Sequence, residues 1–141
     1  MKLKSLLTLA ATLAIGLSAG FAKEDDTPLM KEMKAMNKSL RTLKRQVADA
    51  TKKDENVGLI AGIKKNIDAS MKLEPAQTKD IPAAEKAAYL DKYKNQMTDL
   101  SKAFDELDAA VKADKGDAAA AIFEKLSQSK EKGHKDFGAD E

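Results

Sequence analysis

Residues 27–47 read TPLMKEMKAMNKSLRTLKRQV, and this stretch decides the fold of the chain. Its apolar side chains recur at spacings of four and three, which places them on one face of an α-helix. They are Leu29, Met33, Met36, Leu40, Leu43 and Val47, and Ala50 continues the stripe. Thr27 and Pro28 are residue types that favour the N-cap and the first helical position. The stretch therefore predicts a first helix with one face to bury.

Three more helical segments follow a charged connection at 51–56. The second runs from about Val57 to Leu73, and the third starts near Pro82. The fourth follows the turn Lys115-Gly116-Asp117. There we expect Gly116 to end one helix and Asp117 to cap the next. No stretch alternates with period two, so strands are not predicted. Short connections make successive helices antiparallel neighbours. The sequence therefore predicts an all-α, antiparallel up-down-up-down four-helix bundle, with a dimerising two-helix hairpin as the alternative.

The first 22 residues have the organisation of a secretory signal peptide. Lys2 and Lys4 precede an uncharged stretch from Leu6 to Phe21, and small residues surround the expected cleavage site after Ala22. We expect residues 23–141 to form the mature domain, without a membrane anchor. Removal of the two lysines accounts for the net charge of +2. A near-neutral mature chain indicates neither nucleic acid nor anionic lipid as a partner, and its linear sequence shows no docking patch.

The residues that are absent exclude several kinds of chemistry. The chain has no cysteine, which excludes iron–sulfur clusters and covalently attached haem. A single histidine excludes a di-iron bundle site, which needs paired Glu-x-x-His motifs. No Gly-rich phosphate loop or serine-nucleophile motif is present. We therefore do not expect an enzyme.

Two candidate functional residues lie near opposite ends of the mature chain. His134 falls close to Phe123 and Phe137 on a helical wheel, where it could pack as an ordinary core-edge histidine. In an up-down-up-down bundle, Met33 near the start of the first helix lies at the same end as His134 near the finish of the fourth. A thioether and an imidazole form an axial pair that binds haem iron, here without a covalent link. By residue type alone, Met30 and Met36 are also candidates.

The two chain ends resemble the cytochrome b562 family. Leu29-x-x-x-Met33-x-x-Met36-x-x-x-Leu40 is similar to the first helix of that family, and Leu126 followed by Lys132-Gly133-His134-Lys135-Asp136-Phe137 is similar to its last. The resemblance implies a periplasmic electron-transfer protein that binds one non-covalent haem b, with Met33 and His134 as axial ligands. We expect a monomer, because four apolar stripes in one chain can close a bundle. Its redox partner proteins are not identified by the sequence. Tyr89 and Tyr93 match pocket aromatics of the family only when the third helix is counted from its start.

Two other functions remain open at the level of sequence. Soft thioethers select Cu(I), so Met30, Met33 and Met36 could form a periplasmic copper site. The bundle could also be a haem-free binding module, such as an envelope stress sensor or a chaperone, which would use exposed apolar surface.

Overall fold

The structure is a computed structural model that describes residues 26–138. The predicted signal peptide, residues 1–22, lies outside this range. Four α-helices make up most of the described chain: α1 (Pro28–Gln46), α2 (Lys53–Ser70), α3 (Ala83–Lys112) and α4 (Gly116–Phe137). Short 3₁₀ segments at Ala50–Lys52 and Ala76–Asp80 lie in the first two connections. The prediction of an all-α four-helix chain is confirmed.

The start of α1 is formed as the sequence predicts. The Thr27 hydroxyl accepts a hydrogen bond from the backbone N–H of Met30 over 3.2 Å, and Pro28 takes the first helical position. This bond satisfies one of the N–H groups that a helix start leaves without an intrahelical partner. The helix ends at Gln46, so Ala50 belongs to the following 3₁₀ segment and is exposed. Ala50 is therefore not part of the apolar stripe.

Both predicted ends of α2 and the predicted boundary between α3 and α4 are wrong. Helix α2 begins at Lys53 and ends at Ser70, so both of its ends precede the predicted ones. Asp54 and Glu55 lie in its first turn, where negative charge favours the helix dipole. Between α3 and α4, Asp114 adopts the left-handed conformation with φ 57°, whereas Gly116 is the first residue of α4 and no side chain caps that helix.

Contacts between α2 and α3 show that these helices run in opposite directions. Lys53, the first residue of α2, forms an ion pair of 2.9 Å with Asp114, which follows the end of α3. Ser70, the last residue of α2, accepts a hydrogen bond from Tyr93 in the amino-terminal half of α3. The carboxyl end of α2 therefore lies beside the amino-terminal half of α3.

Helices α3 and α4 are antiparallel by the same criterion. The Gln96 side chain donates a hydrogen bond to the backbone carbonyl of Ser129 over 3.5 Å. Nearer the start of α3, Lys92 forms an ion pair of 3.1 Å with Asp136, which lies nearer the end of α4. As residue numbers fall along α3, those of the contacting residues rise along α4.

One core runs through the bundle and contains side chains from all four helices. It includes the predicted stripe residues of α1 that point inward and the isoleucines of α2. Its buried apolar residues are Met36, Leu43, Val47, Ile60, Ile63, Ile67, Tyr93, Met97, Phe104, Leu107, Ala110, Val111, Ala119, Phe123, Leu126 and Phe137. Because the chain has no disulfide, this apolar burial is the main source of stability.

Candidate functional site

Met33 lies at the edge of the core near the start of α1. Its side chain is partly buried and packs against the core, whereas Met36, one turn further on, is 4% exposed. The side-chain amide of Asn66 in α2 lies 3.2 Å from the backbone nitrogen of Met36. Since α1 and α2 are joined by a short connection and run antiparallel, Met33 lies beside the last turn of α2, which ends at Ser70.

His134 lies in the last turn of α4, and its side chain is partly buried. Its backbone carbonyl accepts a hydrogen bond of 3.0 Å from the N–H of Gly138. Gly138 has φ +55°, the left-handed conformation that commonly closes a helix. A Cβ added there would overlap the side chain of Gln77, so a residue with a side chain would meet both strain and a clash. The 3₁₀ segment of the second connection therefore packs against the end of α4.

Three aromatic side chains pack one turn beyond His134, and we call Tyr89, Tyr93 and Phe137 the aromatic cluster. The ring of Phe137 meets each tyrosine ring edge-on, with centroids 5.3 Å apart in both pairs. Burial raises the pKa of Tyr93 to about 12, and it also raises the pKa of Tyr89. The sequence singled out both tyrosines but not Phe137 as their common partner.

The aromatic cluster relates the two candidate ligands. The Tyr93 hydroxyl donates a hydrogen bond of 3.0 Å to the carbonyl of Ser70, the residue that ends α2 beside Met33. On its other side Tyr93 contacts Phe137, which lies one turn beyond His134. Met33 and His134 therefore lie at the same end of the bundle, together with the end of α2 and the start of α3. Their role as ligands remains a prediction.

The pair formed by α1 and α4 differs from the other neighbouring helices. Within residues 26–138, the closely packed helix pairs are α1 with α2, α2 with α3 and α3 with α4, and α1 with α4 is not among them. The chain segments next to these two helices meet at the end remote from Met33. There, a Cβ added at Gly116 would lie 2.7 Å from the backbone oxygen of Ala48. We refer to this pair as the loosely packed α1–α4 interface.

Two buried polar atoms belong to the same end of the bundle and were not predicted. The hydroxyls of Tyr89 and Thr78 are buried without a hydrogen-bond partner among the described residues. Such atoms are uncommon in folded proteins, and each is normally explained by water or a ligand. Thr78 lies in the 3₁₀ segment whose Gln77 packs against Gly138. No sequence pattern would have identified either hydroxyl as buried.

Other candidate sites have weaker chemistry. One surface depression lies between α1 and α2 and includes Ala35 and Gly62, and another lies at the remote end beside Ala48 and Gly116. Neither contains a methionine or a histidine. Among residues 26–138 no group of three or more histidine, cysteine or acidic residues could hold a metal ion. Over the same residues, no helix has the length and apolarity needed to cross a membrane.

These observations define the class as a helical bundle with a thioether and an imidazole at one end. The family model for cytochrome b562 matches residues 28–137, from the first residue of α1 to the last of α4. The chain belongs to the cytochrome b562 family, which is a family of haem-binding helical bundles and electron carriers. Comparison with curated proteins and with solved structures gave no match.

Membership of the family implies a b-type haem, and the residues at this end of the bundle fit such a group. Met33 and His134 are of the residue types that could donate a sulfur and a nitrogen to haem iron, and both lie within regular helices. The aromatic cluster supplies an apolar wall, while the unpartnered Tyr89 hydroxyl supplies a polar atom within it. Lack of close packing between α1 and α4 is consistent with a flat group between them.

Proposed function

We propose that this protein is a periplasmic electron carrier that binds one haem b non-covalently through Met33 and His134. The haem supplies reversible one-electron chemistry, with the iron alternating between ferric and ferrous. The observation that carries the proposal is the pair of contacts made by Tyr93, its hydrogen bond to Ser70 at the end of α2 and its ring contact with Phe137, one turn beyond His134. Because α1 and α2 run antiparallel, these contacts support a common end of the bundle for Met33 and the single histidine of the sequence.

Each residue at this end has a defined task in the proposal. Met33 and His134 would hold the group from two helices, and the combination of a thioether with an imidazole would favour the ferrous state. Phe137 and Tyr93, which are buried, exclude water from one side. The Gly138 cap fixes the last turn of α4 and so limits the positions that the His134 ring can reach. Rigid ligand positions lower the reorganisation that accompanies electron transfer.

Copper binding is less well supported. Met36 is buried in the core, and Met30 is not among the residues that pack against that core. The three sulfur atoms of α1 therefore lie in different environments, although a Cu(I) site needs several soft ligands around one point. A haem-free binding module would keep the fold and lose the ligand, and the following titration separates it from a cytochrome.

The test is a haemin titration of the mature protein, followed by visible spectra after reduction. We expect sharp bands of a six-coordinate ferrous haem, which Met33→Leu and His134→Ala each remove or broaden. Met30→Leu is the matched control, because it deletes a thioether from the same helix and should leave the spectrum unchanged. Loss of the bands in Met30→Leu but not in Met33→Leu would show that the ligand assignment is wrong. Failure of the wild type to bind haemin would refute the haem proposal.

Export is tested separately. Mass spectrometry of protein recovered from a periplasmic fraction should give a chain that begins at Lys23. An uncleaved chain in the membrane fraction would contradict both the cleavage site and the proposed location.

A further inference from the structure

The charges of the bundle are unevenly distributed, although the whole chain is almost neutral. Helix α1 carries six basic side chains and one acidic side chain, Glu32. In α2 and α4 the numbers of basic lysine or arginine and acidic side chains are equal, and α3 has one more acid than base. The excess of positive charge is therefore confined to one helix, which the near-neutral total does not reveal.

Five of these cations form one continuous stripe, which we call the basic face: Lys31, Lys34, Lys38, Arg41 and Arg45. They follow one another at spacings of three and four, so they project from the same side of α1. All five are exposed. With a rise of about 1.5 Å per residue, the face is about 21 Å long. A transient redox complex has a small interface, of a size that such a face could cover.

The basic face is hardly neutralised within the protein. Among residues 26–138, Lys34 is its one member in an ion pair, with Asp26 at 2.6 Å. Like charges three or four residues apart destabilise an isolated helix. The first turn of α1 has no acidic residue, although negative charge would favour the dipole there. Only Arg45, in the last turn, is explained by the dipole, so the rest of the face does not serve helix stability.

The position of the basic face relates it to the proposed haem site. Residues of α1 turn by about 100° each, so Arg41 lies about 80° and Lys34 about 100° from Met33 around the helix. The depression between α1 and α2 is lined by Ala35, Lys38, Ser39 and Thr42 of α1, so α2 adjoins the other edge of the basic face. Arg41 and Lys34 therefore form the edge of the basic face that is nearer to the loosely packed α1–α4 interface.

We propose that the basic face of α1 docks an acidic electron-transfer protein beside the haem edge. The inference rests on the proposed function, because it gives the face a partner that needs access to the haem. Complementary charge accelerates encounter between redox proteins and orients them. An anionic membrane is the weaker alternative, since a helix that lies in a membrane surface inserts an apolar face, and the apolar face of α1 is buried in the core.

The binding test does not depend on haem. Binding of the mature protein to poly-L-glutamate and to phosphatidylglycerol vesicles is measured at low and high salt, for the wild type and two triple variants. The first variant combines Lys31→Glu, Lys38→Glu and Arg41→Glu, which reverse part of the basic face. The matched control combines Lys65→Glu, Lys79→Glu and Lys94→Glu, which are exposed positions away from that face. Both variants change the net charge equally, and circular dichroism checks that both are folded.

The kinetic test uses the haem-loaded protein and reduced flavodoxin, an acidic one-electron carrier. At low ionic strength we expect the second-order rate constant to fall about 10-fold or more in the basic-face variant and much less in the control. The wild-type rate should decrease with added salt, and the variant rate should not. Equal losses in both variants would attribute the effect to net charge and overturn the proposal.

The two tests fail in distinguishable ways. If haemin is not bound but poly-L-glutamate binding still requires the basic face, the haem proposal fails, whereas the binding of the basic face to anionic partners is retained. In that case docking beside a haem edge is overturned. Binding to vesicles without binding to poly-L-glutamate would assign the face to a membrane and would also overturn the proposal.

Discussion

The Tyr93 hydroxyl donates a hydrogen bond of 3.0 Å to the backbone carbonyl of Ser70, and both residues are buried. This contact joins the amino-terminal half of α3 to the end of α2. The same carbonyl also accepts a bond from the N–H of Leu73, so it is not left without a partner when Tyr93 is changed.

Tyr93→Phe should therefore lower the free energy of unfolding by about 1 kcal/mol, the net value of one hydrogen bond. Tyr89→Phe is the matched control, because the Tyr89 hydroxyl is buried without a partner and its removal costs no bond. Urea denaturation measures both variants. Equal destabilisation by the two would show that the Tyr93–Ser70 bond contributes nothing specific.

Burial of Tyr93 also predicts how stability changes at alkaline pH. Its pKa is raised from the ordinary value of 10.0 to about 12, chiefly by desolvation. The folded state thus favours the neutral phenol, and this contribution is complete below pH about 10 and lost as the pH rises through about 12. We expect the melting temperature to fall over that interval, in parallel with tyrosinate absorbance, and to fall less in Tyr93→Phe. A flat profile would contradict the burial of this hydroxyl.

Gly116 and Gly58 should respond to alanine in opposite directions. At Gly116 the added methyl would lie 2.7 Å from the Ala48 oxygen, a backbone atom that cannot move aside, so we expect a loss of about 1–3 kcal/mol. At Gly58, inside α2, nothing lies within 4 Å of the added methyl, and alanine should stabilise by about 0.5–1 kcal/mol. Thermal unfolding distinguishes them. Stabilisation by Gly116→Ala would exclude the close approach of Ala48 to the start of α4.

Asn56 is fully buried and forms two hydrogen bonds with Gln46 across the α1–α2 connection. Its amide nitrogen donates to the Gln46 carbonyl, and its amide oxygen accepts from the Gln46 side chain, each over 3.0 Å. Asn56→Ala should cost about 1–3 kcal/mol, because it removes both bonds and leaves polar atoms buried. Asn95→Ala, at an exposed position in α3, is the control and should be nearly neutral. The measurement is the difference in unfolding midpoint between Asn56→Ala and Asn95→Ala, and equal midpoints would contradict the contribution of the Asn56 hydrogen bonds.

The apolar pattern predicted the number and kind of helices but not all of their ends. The stripe from Leu29 to Leu43 and the Thr27 cap are local features, and both appear where the sequence predicts them. The start of α2 was missed because Asp54 and Glu55 resemble loop residues in composition, whereas their charges favour a helix start. Gly116 was expected to end the helix before it, but it is the first residue of α4, and Asp114 adopts the left-handed conformation in the turn.

Part of the candidate site could likewise be predicted from the sequence, and part of it depends on tertiary packing. Antiparallel packing follows from short connections, and it is sufficient to bring Met33 and His134 to one end. The partners of Tyr93 and Phe137 depend on the register between α2, α3 and α4, which no local pattern specifies. Buried Asn56 and Thr78 were missed for a related reason: polar residue types are normally exposed, and only tertiary packing reveals the exceptions.

The contact between Gly116 and Ala48 joins the segments beside α1 and α4 at the end away from His134. Because these segments approach closely there, a flat molecule that binds beside Met33 would separate only the opposite ends of α1 and α4. On the proposed function, haem uptake would leave the opposite half of the bundle folded.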